Sequence, residues 1–200
     1  MNRIVLGMIA SLLALPATSH AEKFIQSDDY KEGDEVVGKF LVDADYQRMV
    51  DDVERHDEEF DWVYIAAEGR PTSPKALKFA LQGKKVFVAE VQNFAGLVAK
   101  NLPPAIAENF GEAFKVLGAT LVTEAAGADY ELGIAIVDAD PEGGGWAPYV
   151  GRIDPFVELE IRLRDLAGQQ DLLLIRNQAH SRDIDSAVLK FADDLSKFLR

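Results

Sequence analysis

Residues 157–174 read VELEIRLRDLAGQQDLLL, and this stretch decides the fold. Val157, Leu159, Ile161 and Leu163 alternate with Glu158, Glu160, Arg162 and Arg164. A period of two over eight residues predicts an antiparallel strand with an apolar inward face and a wet outward face. Asp165 to Gln169, with Gly168 inside it, reads as a turn, and Asp171 to Gln178 reads as the returning hairpin partner. Glu158 and Glu160 stand two apart beside Arg162 and Arg164, which predicts cross-strand ion pairing rather than acid catalysis.

Outward from the hairpin, the pattern holds in both directions. Asp129 to Val137 reads as a longer strand with Tyr130, Leu132, Ile134 and Ile136 on one face. Leu121 to Thr123 is a short strand, and Lys84 to Gln92 is a strand apolar on both faces. Between them Pro103 to Leu117 reads as a helix, with prolines suited to its first turn and Gly118 to its stop. Its inward stripe is Ile106, Phe110, Ala113, Phe114 and Leu117. At the other end, Asp183 caps a helix from Ile184 to Leu199 that repeats Ile184, Val188, Phe191, Leu195 and Phe198 at the helical period. This order predicts an α/β two-layer sandwich, a mixed and mostly antiparallel sheet with helices on one face.

The first 21 residues have the make-up of a secretory signal peptide. Arg3 gives the positive end, Ile4 to Leu15 the apolar stretch, Pro16 the break, and Ser19 and Ala21 the small residues at −3 and −1. The apolar stretch is too short for a bilayer core. Cleavage after Ala21 and a periplasmic location are expected, with no membrane span remaining.

Composition narrows the function classes. With 48% hydrophobic residues in 200, and only 15 glycines and 8 prolines, the chain can build a core and is neither disordered nor collagen-like. A formal charge of −13 argues against nucleic acid as a partner. The absence of cysteine excludes disulfides, thiol catalysis and zinc–thiolate sites. From Asp28 to Asp61 there are 14 acids against Lys31, Lys39, Arg48 and Arg55. That concentration divides the mature chain, on sequence grounds, into an acidic extension over 22–83 and a sandwich domain over 84–200. Within the extension, Tyr46, Met49, Val50 and Val53 predict an amphipathic helix from about Asp43 to Glu58, and Trp62 to Ala67 a strand. Gly69, Pro71, Ser73 and Pro74 read as a loop.

The opening strand KVFVAEVQNF (Lys85 to Phe94), the helix ending Leu117-Gly118, ADYELGIAIVDAD (Ala128 to Asp140) and the hairpin wording together resemble a superfamily of small bacterial envelope domains. That superfamily includes the amino-terminal domain of TolB, the curli-secretion lipoproteins and the lipoprotein activators of penicillin-binding proteins. The resemblance spans Lys84 to Arg200 and implies the α/β sandwich and a role in envelope assembly or regulation. The lipobox cysteine of such proteins is missing here, so their membrane anchoring is not implied.

No motif specifies a reaction. Asp138, Asp140 and Glu142 have the alternation of a calcium loop, but the position of its bidentate acid is Tyr149, so an acidic hairpin turn is the simpler account. Ser181, His180, Asp183 and Asp185 include the residue types of a hydrolytic triad, yet adjacent residues cannot form its Ser–His bond, and no Gly-x-Ser-x-Gly elbow exists. Trp146, Tyr149 and Phe156 lie in a Gly-rich loop and are the candidate partner-binding residues, the other reading being rings that fold back to cap the core. The expectation is a non-catalytic periplasmic module, needing no cofactor, that binds an envelope protein or a peptidoglycan-associated complex. A carboxylate-dependent hydrolase of cell-wall glycan, and a calcium- or small-ligand-binding protein, are the alternatives.

Overall fold

The hairpin is the centre of the molecule. In a computed structural model that describes residues 24–26, 60, 62–65, 73–143 and 154–200, β7 (Tyr130–Asp140), β8 (Phe156–Asp165) and β9 (Gln170–His180) form a continuous antiparallel meander. Leu132, Ile134 and Ile136 from β7 face inward with Val157, Leu159, Ile161 and Leu163 from β8 and Leu173 and Ile175 from β9, all buried. The turn at 166–169 is tied by Asp165, whose Oδ1 accepts from the amides of Ala167 at 2.9 Å and Gly168 at 3.1 Å. Its left-handed residue is Gln169, at φ 49°.

Two strands extend the sheet past β7 in parallel. β3 (Lys85–Val88) pairs with β7 on one side and with β6 (Thr120–Val122) on the other. The strand expected over Lys84 to Gln92 is split: after β3 the chain continues along β7 as β4 (Gln92–Asn93). Beyond it, β5 (Leu97–Ala99) leaves the main sheet and pairs antiparallel with β1 (Phe24–Gln26).

Among the described residues three helices lie on one face, the second of them as the crossover that a parallel β3–β6 pair requires. They are α1 (Pro74–Leu81), α2 (Leu102–Val116) and α3 (Ile184–Phe198). Ile106, Phe110, Ala113 and Phe114 of α2, with Val188, Phe191 and Leu195 of α3, close the core against the sheet. α1 and α2 stop side by side. Gly83 at φ 71° donates its amide to the carbonyl of Gly118 at φ 97°, and β3 and β6 start from that junction. The α/β sandwich with a mixed, mostly antiparallel sheet is the architecture observed.

Three expectations are corrected. The residues read as a loop at Ser73 and Pro74 start a helix instead: the Ser73 side chain accepts from the amide of Ala76, and Pro74 occupies the first turn. The boundary at 83/84 does not divide the packing. β2 (Trp62–Ile65) pairs antiparallel with β9 and forms an edge of the main sheet, while Phe60, Val63, Leu77 and Leu81 belong to its core. Charge density marked a compositional change, but burial is decided by where apolar side chains find partners. Finally, the outward face of β8 is not wet: Glu160 is 1% exposed. The expected helix over 43–58 lies outside the described residues.

Two carboxylates hold junctions of the fold in their charged form. Asp129 accepts from the backbone amide of Lys85 at 2.8 Å, and that bond, helped by the charge on Lys84, lowers its pKa. Asp183 caps α3; hydrogen bonding from the Ser186 side chain and amide holds its pKa down as well. A depressed folded-state pKa contributes stability above the unfolded carboxylate range and loses it as pH falls through the folded value. An Asp129→Asn/Asp183→Asn variant is therefore expected to melt lower than the native chain at pH 7. Its melting temperature should fall less steeply between pH 5 and pH 3, as followed by circular dichroism; equal slopes would remove these two groups from the acid response.

Candidate functional site

The β7–β8 connection is where the sequence placed a binding tip. Its base is a strand ladder. The two strands shift register by one residue between Ile136 and Asp138 and then pair on to their ends, where Asp140 meets Phe156, and the amide of Ser181 donates to the carbonyl of Pro155 at 3.0 Å. Residues 141–155 thus leave and re-enter the sheet at neighbouring strands. The Phe156 ring is half-buried and sits 5.5 Å from the ring of His180 on β9. Trp146 and Tyr149 lie outside the described residues.

The acidic residues at the start of this connection serve its backbone. Asp140 Oδ1 accepts from the amides of Glu142 and Gly143, both at 3.0 Å, and Asp138 Oδ1 accepts from the amide of Ala139 at 2.7 Å. The Asp140 contacts form an Asx turn. Among the described residues no three His, Asp or Glu side chains gather in a metal-binding group, so Asp138, Asp140 and Glu142 are not brought together as ligands.

The residues with triad chemistry are likewise spread over a helix start. Asp183 is engaged with the amide of Ser186 and with Arg182 Nε at 3.0 Å, and His180 points its ring to Phe156.

Sequence reasoning understated the face of the sheet opposite the helices. Arg162 bonds Glu131 at 3.1 Å, and Arg164 bonds Asp171 at 2.9 Å. Arg176 pairs with Glu158 and, at 3.6 Å, with Glu160. Cross-strand pairing was expected for Glu158 and Glu160, but their partner is Arg176 on β9. Arg162 and Arg164 on their own strand turn to other acids. These side chains are mostly buried, so their ion pairs are less screened than surface pairs. The signal available in the sequence was Arg176 itself, the one Arg or Lys of that strand, following four consecutive apolar residues.

No helix among the described residues is long and apolar enough to cross a membrane. No family model matches the chain, and no curated relative matches it. A solved structure shares its fold, and others resemble it more loosely. A PelC dodecamer from Paraburkholderia phytofirmans superposes with a TM-score of 0.50 at 15% identity, over 68% of this chain and 96% of that one. Lipoprotein GNA1162 from Neisseria meningitidis gives a TM-score of 0.39 at 13% identity, over 54% of this chain and 90% of that one. The sandwich built here on the β7–β9 meander is thus a fold also found in PelC.

Proposed function

We propose that this chain is an exported, non-catalytic module of the bacterial envelope that binds another envelope component through the β7–β8 connection. The observation that carries this reading is the base of that connection. A strand ladder that resumes after a bulge at Val137 and pairs Asp138 to Asp140 with Glu158 to Phe156 brackets residues 141–155. A rigid scaffold presenting an aromatic loop concentrates contact area at low entropic cost, because Trp and Tyr have few rotatable bonds. The signal-like residues up to Ala21 and the sequence resemblance to TolB, curli-secretion and penicillin-binding-protein activator domains support the same reading. The partner class is an envelope protein or a peptidoglycan-associated complex.

A photocrosslinking amino acid at position 146 in the exported protein should give one discrete adduct with an envelope component. Tyr149→Ala should reduce that adduct by on the order of tenfold, as loss of about 1.4 kcal/mol or more at an aromatic anchor predicts. Its melting temperature should change little. No adduct, or an adduct indifferent to Tyr149→Ala, would place binding elsewhere. Intact mass of the same protein from the periplasmic fraction should begin at Glu22; a full-length mass in the membrane fraction would remove the export assignment.

A further inference from the structure

The face of the sheet opposite the helices is dry at its centre. Leu174 and Ala135 are fully buried, Val137 is 2% exposed and Glu160 is 1% exposed, yet none of the four belongs to the core cluster that the helices complete. The register arranges this face in rows. Gly133, Arg162, Leu174 and Tyr64 are successive ladder partners, and so are Ala135, Glu160, Arg176 and Trp62. All three described helices send their buried apolar side chains into the core on the other side. A leucine and a carboxylate do not lose their solvent without a covering layer.

We propose that this layer is the chain's own acidic segment, residues 43–58, laid as an amphipathic helix across β2, β9, β8 and β7. The inference goes beyond the binding reading and does not depend on it. Connectivity supports it first: the segment ends just before Phe60, which is buried, and Trp62, whose ladder partner is Arg176. Length fits as well. Such a helix is about 24 Å long at about 1.5 Å per residue, and four strands at about 4.8 Å spacing span about 14 Å between the outer two.

The chemistry is complementary. Tyr46, Met49, Val50 and Val53 form an apolar stripe suited to Leu174, Ala135 and Val137. At the helical period, Asp45 and Asp52 flank that stripe on one side and Glu54 on the other, Asp57 falls on the stripe itself in the last turn, and Arg48 and Arg55 fall on the far side. Acids therefore border the stripe that would meet a face carrying Arg162, Arg164 and Arg176, and the segment's own cations turn to water. Its carboxylates add to the ion pairs already on that face and need not replace them.

The chain has no native cysteine, which permits a clean test. Gln178 is exposed and pairs with Glu158 on this face. Gln178→Cys in the otherwise unchanged mature protein, labelled with a benzophenone maleimide and irradiated, should link to a peptide within 43–58 of the same chain at monomer mass. A link between two chains would make a second copy the covering layer. No link to 43–58 would leave the face to another occupant; either result overturns the proposal.

A second arm reads the arginines. In a Tyr46→Ser/Met49→Ser/Val50→Ser/Val53→Ser variant, phenylglyoxal should modify Arg162 and Arg176 on the order of tenfold faster than in the native chain. Arg182, 86% exposed, serves as the unchanged internal standard. Unchanged rates in a variant that remains folded by circular dichroism would also overturn it. Should the variant unfold, the crosslink in the native background decides.

Discussion

Phe191→Ala is expected to destabilise the protein by about 3–5 kcal/mol and to lower its melting temperature by roughly 10 °C. The ring is fully buried at the point where three parts of the chain meet. Its centroid lies 5.3 Å from that of Phe110, edge-on, and 5.7 Å from that of Phe60. Phe60 in turn packs edge-on against Phe198 at 5.1 Å. Edge-to-face rings contribute beyond their buried area, and alanine leaves a cavity that a helix–helix–sheet junction cannot collapse around. Leu189→Ala, on the exposed side of the same helix, is the control and should shift stability by less than about 0.5 kcal/mol. Thermal melts of both variants make the comparison. A loss under 1 kcal/mol for Phe191→Ala would show that the aromatic cluster repacks freely.

The second large effect concerns the chain cut at residue 84. A fragment over 84–200 is expected not to fold cooperatively, although it contains all of the segment that carries the sequence resemblance. It lacks Phe60, Val63, Leu77 and Leu81, all at 0–2% exposure, and with them an edge strand and a helix. At about 2–5 kcal/mol for each large side chain removed, the loss approaches or exceeds the 5–15 kcal/mol that hold a domain folded. A chain beginning at residue 60 keeps all four. Near-ultraviolet circular dichroism and denaturant titration of the two fragments distinguish them. A sharp, single transition in 84–200 would restore the boundary drawn from charge.

What could be read in advance follows from signal strength. The strand at 157–164 and the last helix were legible because their periods run through eight or more residues and bury a full face, and the strand at 171–178 because it returns from the turn that follows the first. The structure lengthens the two strands by one or two residues at each end and stops the helix at Phe198, one residue early. α1 was missed because it is eight residues long, and its start signals, Ser73 and Pro74, are also loop signals. β1, β4 and β5 have two or three residues each, too few for a period, and their partners are distant in sequence. Alternation in β8 gave the inward face correctly but could not say that the outward face is buried. Charged residues alternate in the same way whether they meet water or each other. Of the candidate binding residues, the described structure locates Phe156, at the loop's base.

The pairing of Trp62 with Arg176 also has a kinetic consequence. A chain made or threaded amino end first presents Trp-Val-Tyr-Ile long before its partner strand exists. The meander from β7 to β9 is local and can zip quickly, but the β2 edge closes the longest loop in the sheet and so joins late. Until β9 emerges, Phe60 and Val63 have no core to enter, and an apolar strand with open hydrogen-bonding edges is free to associate with other chains. A run of acids immediately before that strand keeps neighbouring nascent chains apart by repulsion, as gatekeeper charges do. The dense negative charge of residues 28–61 would then protect the protein most during the interval before it is folded.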